Sequence, residues 1–207
     1  RFRHATETAQ PGYYAVTLDD HEVRAELTAS LRVGMHRYTF PKDKPAHVVL
    51  DLRTSMYDYP GKISWSRVRV RPDGTVTGFR ETRGWAPGRQ LYFAMRFSQP
   101  ITGHQLHNTE QDIPYKGFPP PGEKDPGQRA QIEGRQLVAA FDIAPASGQP
   151  LLVKVAISPV SEEGAIANLD AEAPDWDFDG MRASAKQQWS DALGAVEAKG
   201  DAAQRTS

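Results

Sequence analysis

Most of the chain consists of short runs in which apolar and polar residues alternate, and turns separate these runs. In Val23–Ala29 the odd positions are apolar and the even positions are polar, and Trp65–Arg71 alternates in nearly the same way. A period of two is typical of a β-strand with one buried and one solvated face. Pro72-Asp73-Gly74 follows the second run, and its proline and glycine favour a hairpin turn.

About ten such runs lie between Gly12 and Ile157, with no helical pattern between them. They predict strands at Tyr14–Leu18, Val23–Ala29, Met35–Phe40, His47–Leu52, Trp65–Arg71, Thr75–Thr82, Gln90–Phe97, Ile101–Leu106, Gln136–Phe141 and Leu151–Ile157. Parallel strands need long crossover connections, usually helices, and this region has none. We therefore predict an all-β domain over residues 1–158, built as an antiparallel β-sandwich.

One segment of the predicted sandwich departs from the strand pattern. Residues 108–135 contain Pro114, Pro119–Pro121 and Pro126 among polar and glycine residues. Proline cannot donate a hydrogen bond to a strand neighbour, and clusters of this composition favour loops. The sequence therefore predicts a long Pro-rich surface loop or a disordered excursion over 108–135.

After residue 158 the chain changes to helical patterns. Ser161, followed by two glutamates, is typical of a helix N-cap and predicts a short helix over 161–169. A longer helix is predicted after Pro174, with Asp177 as its cap and Gly200 as its stop. Its apolar residues recur every three to four positions: Phe178, Met181, Ala185, Trp189, Ala192 and Val196. This stripe must be buried either on the sheet or on a part of the protein outside this sequence.

Composition and charge exclude several classes of function. The chain has 207 residues, with 25 Lys and Arg against 26 Asp and Glu, so its formal net charge is −1. This balance excludes a strongly basic nucleic-acid-binding protein and a polybasic membrane anchor. With no cysteine, the chain has no disulfide scaffold, thiolate metal site or cysteine nucleophile. Arg1–His4 form no signal-peptide pattern, so we expect either a removed leader or a start within a domain.

The motifs of common chemistries are absent or incomplete. No nucleophile elbow, P-loop or G-x-G-x-x-G occurs. Residues 175–180 match the first half of a calcium loop, but Lys186 stands where a bidentate glutamate is required. These acids therefore favour a helix N-terminus instead of a metal site. His104 and His107 are three apart on a predicted strand, where they point to opposite faces and form no zinc motif.

Neither acidic residues nor most aromatic residues single out a site. The acidic residues of the predicted sandwich are dispersed: Asp19, Asp20, Glu26, Asp51, Glu81, Glu110 and Asp112. No pair among them stands out as the two carboxyl groups that a glycosidase needs. Tyr57, Tyr59, Trp65 and Tyr92 lie on or beside predicted strands, where aromatic residues usually belong to the core. Trp85 lies in a turn instead, and we take it as the candidate substrate-binding residue.

Several segments together resemble the N-terminal domain of glycoside hydrolase family 92, the calcium-dependent exo-acting α-mannosidases best known for α-1,2-mannosidases. They are Pro11–Leu18, Val23–Ala29, Arg32–Pro41, Gly84-Trp85 before Leu91-Tyr92-Phe93, Ile157–Leu169, Trp176-Asp177-Phe178 and the helix with Trp189. The segments occur in order and cover nearly the whole chain, apart from the Pro-rich loop.

This resemblance implies a β-supersandwich of the galactose-mutarotase type, followed by linker helices over 159–207 that lead to an (α/α) barrel. In that family the general acid, the general base and the Ca²⁺ ligands lie in the barrel, and the mechanism is inverting. We therefore expect no catalytic or metal-binding residue in this chain, and Ca²⁺ only in the full-length enzyme. A tryptophan of the family's opening segment, before the Phe2-x-His4 region, is not expected here either.

The implied function is that of a supporting domain in a glycoside hydrolase that acts on mannose-containing glycans such as N-glycans. The domain would wall the sugar pocket and dock the catalytic barrel, and it would be inactive alone. The implied location is the periplasm or the exterior of a bacterial cell. Two alternatives are a stand-alone carbohydrate-binding module and a mutarotase-like epimerase, which would need a His–Glu pair on the concave sheet face. We also expect truncation after Asp170 to improve solubility by removing an unburied apolar stripe.

Overall fold

The computed structural model describes residues 1–42, 44–54, 59–111, 129–144 and 148–195, and these residues form twelve strands and two α-helices. The strands are β1 (Thr8–Gln10), β2 (Tyr13–Leu18), β3 (Val23–Ala29), β4 (Val33–Thr39), β5 (Ala46–Asp51), β6 (Ile63–Val70), β7 (Val76–Thr82), β8 (Arg89–Phe97), β9 (Ile101–Asn108), β10 (Gln131–Gly134), β11 (Leu137–Ile143) and β12 (Leu151–Ser158). The helices are α1 (Glu162–Glu172) and α2 (Phe178–Leu193).

The strands form two sheets in which each described pair is antiparallel. The larger sheet has nine strands in the order β1-β2-β3-β4-β12-β8-β7-β6-β10, and the smaller has the order β5-β11-β9. The chain enters β12 after the other strands, and β12 pairs with β4 on one side and β8 on the other. The predicted antiparallel β-sandwich is confirmed.

Alternation along β12 shows how the large sheet separates two cores. Leu151 and Val153 belong to the core between the two sheets, together with Phe141 and Leu106 of the smaller sheet. Ala156 belongs to a second core between the large sheet and the helices. Successive side chains of a strand point to opposite faces, so one apolar run serves both cores.

Small residues let the helices approach the large sheet closely. Ala94 of β8 and Ala156 of β12 are fully buried beneath Ala165 and Leu169 of α1. At the start of α2, Phe178 joins the same core. Gly12 has a φ of +76°, and a Cβ there would lie 2.8 Å from the Cβ of Ala185 on α2. The tight β1–β2 turn and the helix contact therefore both require glycine at position 12.

Both helices begin at their predicted caps. The hydroxyl of Ser161 accepts a hydrogen bond from the Gly164 amide, and the carboxylate of Asp177 accepts one from the Gly180 amide. The predicted stop at Gly200 lies outside the described residues, and α2 already ends at Leu193, where the Gly194 amide bonds to Ser190. Glycine favours a helix end over its interior. Within the described residues no helix combines the length and apolarity needed to cross a membrane.

The predicted loop over 108–135 is wrong in its last part. Gln131–Gly134 pair with β6 as the edge strand β10. This strand is short and has a single buried apolar residue, Ile132, so its alternation is too brief to detect in the sequence. At the other end of the predicted loop, β9 continues to Asn108 and a 3₁₀ turn follows at Thr109–Gln111. Residues 112–128 lie outside the described part.

Candidate functional site

A buried glutamate at the start of α1 anchors this helix to the large sheet. The side chain of Glu162 is 4% exposed and accepts hydrogen bonds from Arg67 of β6 at 2.7 Å and from Thr77 of β7 at 2.7 Å. Its position in the first helical turn also suits a negative charge. Burial raises the pKa of Glu162, but the hydrogen bonds from Thr77 and Arg67 together outweigh it and hold this pKa below its usual range.

A second charged cluster anchors α2. Arg37 of β4 forms two hydrogen bonds of 2.9 Å to the carboxylate of Glu26, its neighbour on β3, and a third of 3.0 Å to Asp179 of α2. Its guanidinium lies 4.2 Å from the centre of the Phe178 ring, and Tyr13 donates to Glu26 at 2.7 Å. The hydrogen bond from Arg37 is the main reason that the pKa of Glu26 lies below its usual range.

The turn between α1 and α2 is bound to the sheet as well. The ammonium of Lys154, on β12, donates to the carbonyls of Ala173 at 2.7 Å and Asp175 at 3.1 Å, and lies 4.2 Å from the centre of the Trp176 ring. Glu172, at the end of α1, accepts hydrogen bonds from Ser30 at 2.6 Å and from a backbone amide of the β3–β4 turn at 2.9 Å. The helical layer is therefore anchored at the start of α1, at the turn between the helices and at the start of α2.

The acids that resemble half a calcium loop serve these anchors separately. Asp175 accepts a hydrogen bond from the Asp177 amide, Asp177 caps α2, and Asp179 pairs with Arg37. Within the described ranges, no three potential metal ligands come together. His104 contacts the carbonyl of Arg129, and His107 contacts the side chain of Gln105.

The apolar stripe of α2 is divided along the helix. Phe178 and Ala185 are buried on the sheet, whereas Trp189 is 52% exposed. Leu193, next to the stripe residue Ala192, is 62% exposed. Val196, the last residue of the predicted stripe, lies outside the described residues. Of the two places left open for this stripe, the sheet holds for its first half, which packs on β3 and its neighbours. The assumption of an unburied stripe behind the expected gain in solubility is therefore wrong for that half. Truncation after Asp170 would uncover apolar core, and we now expect it to lower solubility.

The face of the large sheet that carries the helices is open beyond the start of α1. In this open part Trp65 of β6 lies beside Glu81 of β7, and Glu81 lies beside Gln90 of β8. Glu81 accepts hydrogen bonds from Gln90 at 3.0 Å and Ser64 at 2.7 Å, and Tyr92 donates to Gln90. The bonds from Gln90 and Ser64, in that order, lower the pKa of Glu81.

A groove of about 610 Å³ adjoins this open face, and we call it the Trp65 groove. Its lining residues are Ser64, Trp65, Asn108, Glu110, Glu133, Gly134 and Arg135. The indole N–H of Trp65 donates to Glu133 at 3.2 Å, and Arg135 donates through Nε to Glu110 at 3.2 Å. The two glutamates come from opposite ends of the predicted Pro-rich loop. Sequence reasoning missed this groove because β10, which positions Glu133, carries too little pattern.

Trp85, the residue predicted to bind substrate, is fully exposed in the turn between β7 and β8. Ile63 of β6 pairs with Thr82 of β7, so this turn lies at the same end of the large sheet as the start of β6. Trp85 is nevertheless not among the residues that line the Trp65 groove. Its role in substrate binding stays a prediction.

The fold and the anchored helices define a β-sandwich domain that packs directly against the start of a second, helical region. A sequence model described as the glycosyl hydrolase family 92 N-terminal domain matches residues 1–158. A second model, described as the glycosyl hydrolase family 92 catalytic domain, matches residues 164–207. The chain belongs to glycoside hydrolase family 92.

Solved structures agree with this assignment. A family GH92 α-mannosidase from Bacteroides thetaiotaomicron is 31% identical with a TM-score of 0.82, over 97% of this chain and 26% of that one. The family GH92 inverting mannosidase from Bacteroides thetaiotaomicron VPI-5482 is 26% identical with a TM-score of 0.77, over 96% and 24% of the two chains. The chain thus spans about a quarter of the length of these solved relatives.

A more distant neighbour shares the fold alone. A bacterial glucoamylase complexed with acarbose is 8% identical with a TM-score of 0.56, over 89% of this chain and 27% of that one. The comparison with curated proteins gave no match.

Proposed function

We propose that this chain is the N-terminal β-sandwich and the start of the catalytic domain of an exo-acting α-mannosidase that hydrolyses mannose-containing glycans, N-glycans among them. Membership of family 92 and the similarity to α-mannosidases of that family support this activity. The sandwich walls one side of the sugar pocket and docks the catalytic barrel. The catalytic acid and base lie in the part of the enzyme that follows these residues.

The observation that carries this proposal is the way the catalytic region starts. The catalytic-domain match begins at residue 164, within α1, only two residues after the buried Glu162. The clusters around Glu162, Arg37 and Lys154 hold α1, α2 and their connecting turn on the sheet. The start of the catalytic region is therefore part of the sandwich's own second core. This continuity favours a positioning domain over a stand-alone carbohydrate-binding module.

We propose that the Ca²⁺ expected of the full-length enzyme binds outside the described residues. Each of Asp175, Asp177 and Asp179 has its own structural partner, and the described ranges hold no group of three potential ligands. These residues therefore do not fit a calcium site. We also propose a periplasmic or extracellular location, which fractionation of the source cells tests directly.

The proposed division of labour is tested by comparing hydrolysis of α-1,2-mannobiose by residues 1–207 and by a longer protein that continues through the catalytic domain. We expect the longer protein to release mannose. We expect no release by residues 1–207, whether or not Ca²⁺ is added. The matched control is the longer protein treated with a chelator. Turnover by residues 1–207 above the blank, or an inactive longer protein with Ca²⁺ present, contradicts the proposal.

A further inference from the structure

Trp65 presents an apolar ring surface at a place where the sheet is not covered. It lies on β6 beyond the start of α1, and 43% of the residue is exposed. The indole has a single N–H donor, and this donor is already bound to Glu133. All other atoms of the indole ring are carbon, and its N–H is held by a glutamate of the neighbouring strand β10.

Groups that accept and donate hydrogen bonds surround this ring. Glu110 and Glu133 line the groove with carboxylate oxygens, and Arg135 lines it with a guanidinium. The contact between Arg135 and Glu110 runs through Nε, one of the five N–H donors of a guanidinium. Donors and acceptors that flank an apolar ring match a sugar, which has an apolar C–H face and hydroxyl groups that both donate and accept.

The shape of the groove depends on a close contact between two other lining residues, Asn108 and Gly134. Asn108 packs directly against Gly134, where a Cβ would lie 2.2 Å from the Asn108 side-chain nitrogen. Only glycine allows this approach, which brings β9 and β10 together beneath the groove. The wall that carries Glu110 and the wall that carries Glu133 are thereby held next to each other.

Charge and size narrow the class of ligand. Each lining carboxylate has a guanidinium beside it, because Glu110 pairs with Arg135 at 3.2 Å and Glu133 lies 3.5 Å from Arg67. These charges offset one another, so the groove suits a neutral ligand better than an ion. Its volume of about 610 Å³ lies within the range of about 300–1,000 Å³ that is usual for small-molecule sites. We infer that the Trp65 groove binds a neutral hexose unit of a glycan, with the indole as its stacking platform.

This inference adds a sugar contact to the proposed mannosidase function but stands on the chemistry of the groove. Its test measures binding to residues 1–207, whereas the test of the proposed function measures hydrolysis by the longer protein. Either can therefore fail without the other.

The experiment is ligand-observed NMR titration of residues 1–207 with methyl α-D-mannoside and α-1,2-mannobiose. We expect binding to both neutral sugars that 0.5 M NaCl leaves unchanged, and weaker binding of mannose 6-phosphate. Trp65→Ala should weaken binding roughly tenfold or more, because the sugar loses the indole ring on which it stacks. Trp65→Phe should retain part of the affinity, and the double variant Glu110→Gln, Glu133→Gln should weaken it several-fold.

The matched control is Trp189→Ala, which removes another half-exposed tryptophan from α2, away from the groove lining, and should leave sugar binding unchanged. Circular dichroism of each variant establishes that the fold is intact. Three results overturn the inference: no binding of either neutral sugar, equal binding by the folded Trp65→Ala variant, or a loss of binding in Trp85→Ala instead. The last result would assign the platform to the β7–β8 turn.

Discussion

In the helix-covered part and in the open part of the large sheet, the same types of charged side chain have different roles. Arg67 shows the contrast, because it pairs with Glu162 at 2.7 Å under α1 and approaches Glu133 at 3.5 Å beside the open groove. Glu162 is nearly excluded from water, whereas the side chain of Glu133 is 38% exposed. A carboxylate on this sheet is therefore an anchor where a helix covers it and is accessible to a ligand where none does.

The two parts also differ in what a lost partner costs. A buried ion pair is weak evidence for net stability, but removal of one partner leaves an uncompensated charge in a medium of low polarity. In the open part water replaces a lost partner, so the same change costs little. The same substitution, made once under a helix and once in the open part, therefore tests this difference in the free energy of unfolding.

The largest effect is expected for the apolar contact beneath α1. Leu169 is fully buried between α1 and the sheet, and Leu169→Ala should lower the free energy of unfolding by about 3 kcal/mol because it leaves a cavity. Leu193→Ala on the exposed end of α2 is the matched control, with an expected change within about 0.5 kcal/mol. Urea unfolding of both variants measures the difference. Equal losses would mean that α1 is not packed as described.

A smaller effect is expected when the two glutamates around Arg67 are exchanged for alanine. Glu162→Ala should cost about 2 kcal/mol, since Thr77 and Arg67 both lose a buried acceptor. Glu133→Ala should change the free energy of unfolding by less than about 0.5 kcal/mol. The same urea titrations give both values. A larger loss at Glu133 than at Glu162 would reverse the assignment of anchor and accessible group.

The smallest effect is expected from pH. The folded-state pKa values of Glu162 and Glu26 are lowered, so the unfolded chain binds more protons in acid. Their contribution is complete above the ordinary glutamate pKa of about 4.3 and is lost as the pH falls through the lower folded-state values. Urea midpoints at pH 7, 5 and 3.5 should therefore decrease, and Glu162→Gln should decrease less steeply between the last two. An unchanged slope in Glu162→Gln contradicts its lowered pKa.

Much of the fold was predictable because its signals are local. Alternation located ten of the twelve described strands, and Ser161 and Asp177 marked the helix starts. The strands that were missed, β1 and β10, are three and four residues long and lie at the edges of the large sheet. At such lengths, pairing with a neighbouring strand decides the conformation more than the sequence pattern does.

The candidate site was far less predictable. Among the aromatic residues the sequence favoured Trp85, because it lies in a predicted turn, and it assigned Trp65 to the ordinary strand pattern. The position of Trp65 at an open face depends on where α1 begins above the sheet, and its partner Glu133 depends on the register of β10 against β6. Both depend on contacts between residues far apart in the chain.

The order of residues alone determined the β-sandwich, the helical ending, the caps and the family resemblance, because periodicity, capping and collinear motifs are written within short stretches of chain. Only the folded chain decided which part of the helical stripe is buried, which glutamates are buried and which tryptophan lines a groove. These outcomes depend on how the layers pack against one another. The partners that set a side chain's environment lie far away in the chain, as Ser30 and Glu172 do at a separation of 142 residues.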